Sequence, residues 1–587
     1  MTSPPRSSAS PRAPALFIAL ALAPLWLLGM FDRALWTPDE PREADIAWRM
    51  SVQSQHALPE LAGTPFLEKP PLTYWMSGAA VALLGDSAAA ARAPNLLYAL
   101  IAALAIGALA FAMQAQVDAA LVAALLGSSA LIAYRVSIWL APDACLVAGC
   151  ALALLGAWRG YRSPPGGPKA LGYALMHAGA ALGFMAKSAP GWLVPALALF
   201  ALIAWERRWK ELGRWELYAG LALQALVIAP WLWAVARGAH GAAALSALFW
   251  HNVIGRFTQV AAPAALDYTS GHRNSPGKYL IELPLYLLPW TLVMAAALVR
   301  AATRARAPGP VGTPWRFALA ASVPFLLLLS LAATARDIYA APALLGFGLL
   351  AGLWVQDAQV SPSRLDRLAV LLTWVLVGAL ACALAAGLLL LAAAGLSAWG
   401  ASATAAAAAL AAVAAALAAA VRARRRGALA AALGWTYAGY AAAVCLSALV
   451  AFPVIDRWQD LPQLAQRIYA DTARQPLALL DPDETTIAIL DRGRGAPLTT
   501  LRAAPADPRS AVHAWLAAHG PEARVLVLLP GHAGGNLSTL LARHGLGAGD
   551  APADDGVAAH LIGAGAATLV QRYELPQGRR YALLGPP

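Results

Sequence analysis

Fourteen apolar runs of about 15 to 28 residues punctuate this chain, near 13–31, 71–85, 95–113, 117–134, 138–158, 171–186, 190–205, 216–235, 279–299, 316–333, 338–354, 368–395, 401–421 and 428–452. A helix of about 20 apolar residues spans the ~30 Å hydrocarbon core of a bilayer. So many such runs can only be buried together in lipid. The chain reads as an all-α polytopic membrane protein. Of its 587 residues, 60% are hydrophobic and 13% charged, against roughly 25% charged in soluble domains. A soluble enzyme, a disordered scaffold and a disulfide-rich secreted module are excluded. The cysteines, Cys145, Cys150, Cys382 and Cys445, all fall in apolar runs. They read as small packing residues rather than a disulfide framework.

The net charge of +12 belongs to the membrane part. Past Pro453 there are 12 Lys and Arg against 13 Asp and Glu; before it, 31 against 18. Basic residues concentrate in short loops between apolar runs, as the positive-inside rule requires, so no nucleic-acid partner is implied. If 71–85 crosses the bilayer, the basic loops 159–170, 206–215, 300–315 and 422–427 fall outside. If it dips in or lies along the surface, all four fall inside. The second choice gives thirteen transmembrane helices. Residues 1–12 are then a cytoplasmic lead, with 13–31 an uncleaved first span rather than a signal peptide. Residues 13–453 form the membrane domain. Within it, 32–94 is an external loop with juxtamembrane or re-entrant elements, and 236–278 a second external loop. The Ala-rich stretch 395–427 reads as helix.

Composition changes after Val450. Residues 454–587 mix short apolar runs (Ile487–Leu490, Val525–Leu529, Tyr581–Leu584) with helix-like segments (Leu461–Ala470, Ser510–His519, Leu537–Arg543). This pattern reads as a small soluble α/β domain, external on the thirteen-span count.

The chemistry-bearing residues gather in the polar segments that this topology puts outside. The first segment opens with Trp36-Thr-Pro-Asp39-Glu40-Pro-Arg42-Glu43-Ala-Asp45, followed by an amphipathic pattern that suits a helix lying on the membrane. Adjacent carboxylates beside a lipid surface suit general-base work or cation binding. They also suit a plain helix N-terminus, where acids favour the dipole. Next comes Gly63-Thr-Pro-Phe-Leu-Glu68-Lys69-Pro70-Pro71-Leu-Thr-Tyr74-Trp75. Lys69, set rigidly by two prolines, can hold a phosphate as a point charge; a snorkelling interface lysine is the plainer alternative.

Together, TPDEPREADIAWRM and GTPFLEKPPLTYWM resemble the polyprenyl-phosphate-sugar glycosyltransferases of the GT-C class. Nearest are the bacterial lipid A 4-amino-4-deoxy-L-arabinose transferases and the dolichyl-phosphate-mannose-protein mannosyltransferase-like family. The resemblance continues, in order, through WLAPDACLVAG, GFMAKSAPGWLVP, FWHNVIGRF and ATARDIYAAPALLGFGLLAG, and covers roughly residues 15–355. It implies catalytic acids at Asp39 and Asp143, with Glu40 beside them, and donor-phosphate ligands at Lys69, Lys187 and Arg256. Arg42, Glu68, Tyr74, His251, Arg336 and Tyr339 become expected pocket residues.

The implied activity is transfer of a sugar from a polyprenyl (undecaprenyl) phosphate donor to a lipid or protein acceptor. It would occur by inverting displacement at the external face of a bacterial inner membrane. An aligned acceptor, a carboxylate to take its proton and cations to stabilise the leaving phosphate meet the chemical need. No cofactor is required, although paired acids leave room for a divalent cation. Two other classes compete. A flippase for a lipid-linked sugar would spread polar residues along its spans. A non-catalytic envelope assembly protein would leave the acidic and Lys-Pro motifs without a role.

Overall fold

The computed structural model describes residues 12–52, 56–114, 116–238, 241–254, 274–333, 336–472, 475–492, 498–502, 508–530 and 555–587. Among them, nine helices are long and apolar enough to cross a membrane, and ten if a bent pair counts as one span. Thirteen were expected. The expected spans are all helical, but three fall short of that standard for physical reasons. The run 279–299 breaks into Lys278–Tyr286 and Thr291–Arg304 around Pro289. Pro190–Glu206 has only 17 residues. Gly167–Lys187 carries polar and glycine residues on the face it buries. The bent pair, Val117–Ser129 and Leu131–Ile138, turns by 70°. The segment 71–85 forms the 13-residue helix Leu72–Leu84, about 20 Å long at 1.5 Å per residue and shorter than the hydrocarbon core.

Asp143–Arg162 and Gly167–Lys187 form an antiparallel hairpin whose backbones touch. Gly149, Gly156 and Gly160 on the first helix recur at the same spacing as Gly172, Gly179 and Gly183 on the second. A Cβ on Gly156 would lie 2.1 Å from Met176 N, and one on Gly172 would lie 2.3 Å from Gly160 N. Small residues that admit close backbone contact are a main source of helix association in lipid. The hairpin brings its two ends, Asp143 and Lys187, to the same end of the bundle. Ala341–Val360 runs through the bundle with almost every residue buried.

Glu40–Val52 departs from the expected surface helix. It is covered on both sides, and Glu40, Arg42, Glu43 and Asp45 are all buried. Gly78 of Leu72–Leu84 lets that helix close on it, since a Cβ there would lie 2.7 Å from Ala47 O. On the other side, Ile46 and Met50 pack with Phe66, with Tyr74 of that helix and, from the C-terminal region, with Ala488 of Glu484–Asp491.

The last membrane helix, Leu429–Gln459, continues past the expected boundary at 454 before Leu461–Thr472 begins the C-terminal unit. That unit holds a five-stranded mixed sheet ordered 499–501, 477–480, 524–528, 580–585, 568–574. The first three strands are parallel and the last two antiparallel. Leu461, Leu464 and Ile468 cover one face; Val512, Leu516 and Leu561 cover the other. Ile487–Leu490 is no strand but part of the helix Glu484–Asp491, started by Asp483, whose side chain accepts from Thr486 N. Short apolar runs do not declare their period. Leu537–Arg543 lies outside the described residues.

Candidate active site

Asp39 sits just before the first turn of Glu40–Val52, and its carbonyl accepts from Glu43 N at 3.0 Å. Its carboxylate is gripped by both guanidinium nitrogens of Arg336, at 3.0 and 2.5 Å, and receives Arg42 at 3.2 Å. Such forked pairs are the strong, orienting kind of hydrogen bond. Burial opposes ionisation here, but Arg336, then Arg42 and Lys69, outweigh it and hold the carboxyl below the usual carboxylate range.

Glu40 does something different. It is fully buried between Arg33 and Arg92, with contacts of 2.5 to 2.9 Å, and also accepts from Trp36 N and Leu140 N. Burial is again outweighed, by Arg92 and Arg33, and the carboxyl is pulled down to about 2. Both oxygens are committed to fastening the loop, and the side chain does not line the cavity.

Lys69 follows a small hairpin, Glu60–Leu61 with Thr64–Pro65. Pro70 and Pro71 lead from it directly into Leu72–Leu84, the position at a helix start where proline is tolerated. Its ammonium donates to Glu43 at 2.8 Å and lies 3.3 Å from Glu68. Burial works against its charge, and Glu43 and Glu68 restore it, leaving the pKa above the ordinary lysine value. Glu43, absent from the expected set, is the hinge of this group, for Arg42 also reaches it, at 2.8 Å. The spacing Asp39 to Glu43, one helical turn, was the available signal.

Asp143 and Lys187 close the far side with a 2.5 Å hydrogen bond. Lys187 also stands 4.4 Å from the Tyr339 ring centroid, in cation–π geometry. The next residue, Ser188, has φ +61° and ψ −136°, a sparsely populated conformation that non-glycine residues keep mainly at functional sites.

Asp39, Glu68, Lys69, Asp143, Lys187, Arg336 and Tyr339 thus line one open cavity. Its remaining wall is apolar, with Leu146, Leu193, Phe325, Leu328 and Leu329. Arg42 stands behind this lining, with its guanidinium 5.1 Å from the Phe66 ring centroid. Tyr74 is packed among Ile46, Met50 and Phe66 rather than on the cavity wall. His251 belongs to the wide helix Ser246–Ile254, and its side chain, like the whole of Arg256, lies outside the described residues. Sequence reasoning missed Glu484, which comes from the C-terminal unit and pairs with Arg42. Nothing near it in sequence pointed to this site. Among the described residues, no group of three or more His, Cys, Asp or Glu is placed to hold a metal ion.

Comparison with known proteins agrees with the resemblance carried by the motifs. The pattern of the dolichyl-phosphate-mannose-protein mannosyltransferase family matches residues 68–233. An undecaprenyl phosphate-alpha-4-amino-4-deoxy-L-arabinose arabinosyl transferase of Erwinia tasmaniensis is 30% identical over 289 residues, 49% of this chain and 50% of the relative. The enzyme of that name from Pseudomonas aeruginosa is 29% identical over 57% of this chain and 58% of its own. The chain therefore spans little more than half the length of these relatives. In three dimensions the likeness is complete in extent. The crystal structure of ArnT from Cupriavidus metallidurans bound to undecaprenyl phosphate superposes with a TM-score of 0.70, covering 98% of both chains at 18% identity. Its apo form gives 0.68. The fold is the GT-C-like membrane fold, with a C-terminal α/β unit.

Proposed function

We propose that this protein is an integral-membrane glycosyltransferase of a bacterial inner membrane. It moves a sugar from a polyprenyl-phosphate donor to an envelope acceptor at the external face. One observation carries the reading: a single cavity joins Lys69, Lys187 and Arg336 to a wall of leucines and a phenylalanine. A lipid phosphate needs both halves. Lys69 and Lys187 would meet the phosphate, Arg336 holds Asp39, and the apolar wall would meet the first isoprene units. The relatives' names supply an undecaprenyl-phosphate-linked aminoarabinose as the first donor to try.

Every cation of the cavity has a carboxylate partner: Lys69 has Glu43, Lys187 has Asp143, and Arg336 has Asp39. Donor phosphate would replace a carboxylate on Lys69 or Lys187, and the same contact would stabilise the charge that develops as the C1–phosphate bond breaks. Asp39 is held ionised by two arginines, and so low a pKa makes it a weak proton acceptor. The geometry thus favours Asp39 as an orienting and charge-balancing carboxylate. It favours an acceptor already ionised at neutral pH, such as a lipid A phosphate, over a protein hydroxyl. In-line attack opposite the departing phosphate would invert the anomeric centre.

Purified protein with a polyprenyl-phosphate sugar and either a lipid phosphate or a hydroxyl peptide tests this. Transfer to the lipid phosphate alone is expected. Transfer to the peptide alone would overturn the acceptor assignment, and no transfer to either would overturn the reading for that donor.

A further inference from the structure

Arg336 holds Asp39 with two hydrogen bonds, and what holds Arg336 decides how firm that grip is. Its peptide lies where the chain passes between helix Val323–Leu331 and the turn Asp337–Ala340. Tyr279, fully buried in the first turn of Lys278–Tyr286, reaches this peptide with its hydroxyl. The hydroxyl donates to Arg336 O at 3.0 Å and accepts from Arg336 N at 3.2 Å. One side chain thus engages both backbone groups of the residue that orients Asp39. Five residues earlier, Asn274 secures the start of the same passage. Its side-chain amide donates to Ala332 O at 2.7 Å, and its backbone N–H donates to Ala333 O at 2.8 Å.

We propose that Tyr279 is a positioning residue of the transfer reaction: by clamping the Arg336 backbone it fixes the two-pronged grip of Arg336 on Asp39. The inference rests on the glycosyl-transfer reading above. Tyr279 lines no part of the cavity, so it acts on turnover through geometry rather than on donor binding. Displacement of an orienting group by a fraction of an ångström lowers turnover while leaving ground-state contacts in place.

A double-mutant cycle tests this with Tyr279→Phe, Arg336→Ala and the pair, in the full-length protein. Tyr279→Phe is expected to lower kcat about 10-fold, with KM for the donor within about twofold, because it loses two hydrogen bonds to one residue. In the Arg336→Ala background the same substitution is expected to cost less than about twofold, since its target is gone. An equal loss in both backgrounds, or a change confined to KM, would overturn the proposal. A reading free of variants and substrate is hydrogen exchange at the Arg336 amide of the wild-type protein. Slow exchange is expected, and exchange at the rate of an open amide would overturn the clamp. Because that reading needs no turnover, it separates failure of the clamp from failure of the proposed function, which wild-type transfer tests by itself.

Discussion

Lys187 and Asp143, joined by a 2.5 Å hydrogen bond, are the last residue of one helix and the first residue of the helix before it. The pair exists because the glycine seam lays those two helices side by side. Removing either partner strands a charge that the other had compensated, and for this partly buried pair the cost is expected to fall below the ~3–5 kcal/mol of a fully buried one. Lys187→Ala and Asp143→Ala are each expected to lower the unfolding midpoint in detergent. The double substitution should lower it less than the sum of the two. Lys187→Ala should also weaken undecaprenyl phosphate binding about 10-fold or more by titration, because Lys187 faces the cavity.

The seam itself makes a sharper forecast. Gly156→Ala puts a methyl group 2.1 Å from Met176 N, a contact that only separation of the helices relieves. Folded yield should collapse, with a loss of several kcal/mol in stability. Gly378→Ala, where a Cβ meets nothing within 4 Å, should leave yield unchanged or slightly raise it, since alanine is the better helix former. Size-exclusion recovery of the two variants measures the difference.

Two buried acids predict opposite responses to pH. The Glu40 carboxyl is pulled down to about 2 by Arg92 and Arg33 against burial. Its stabilisation is present above the ordinary glutamate range, and is lost as pH falls from about 4.3 toward 2. Glu40→Gln should flatten that acid limb and, because two buried arginines lose their partner, lower stability at pH 7 by several kcal/mol. Asp45 lies the other way. Burial first, and then Asp491, push its carboxyl well above the aspartate range, against Arg49 and Arg492. Its contribution is present below pH 4 and is lost as pH rises through the raised value. Asp45→Asn should reduce the fall in unfolding midpoint as pH rises from about 4. An unchanged pH dependence above about 4 would contradict a raised Asp45 carboxyl.

Much of this was legible in the sequence, for reasons that differ from residue to residue. Asp39, Lys69, Asp143, Lys187 and Arg336 stand in short polar segments between apolar runs, where a charge is costly unless it is used. Their convergence on one cavity follows from helices that begin and end at the same side of the bundle. The different surroundings of Asp39 and Glu40 were not legible, because adjacent acids look alike in sequence. Only packing reveals that one faces a cavity and the other two arginines. Glu484 was illegible because its link to Arg42 spans more than 400 positions. The helix Glu484–Asp491 hid its period in a run too short to show one, and the break at Pro289 was hidden in a run that hydropathy alone read as continuous.

The charge distribution makes a topological prediction. With Leu72–Leu84 not crossing and the thirteen other apolar runs each crossing once, the short and broken ones included, reporter fusions after Arg306 and Arg425 should both report the cytoplasm. An external signal at both would require that short helix, or an odd number of further segments, to cross.

The account turns on Asp39, and the most direct measurement is single-turnover transfer from a polyprenyl-phosphate aminosugar to a lipid phosphate by wild-type protein and by Asp39→Asn. The substitution keeps the size of the side chain and removes the charge that pairs with Arg336. The wild type should transfer the sugar, and the variant should do so about 100-fold more slowly or worse, with donor binding within about threefold. Near-wild-type transfer by Asp39→Asn would contradict the role given to Asp39, and to the arginine that holds it.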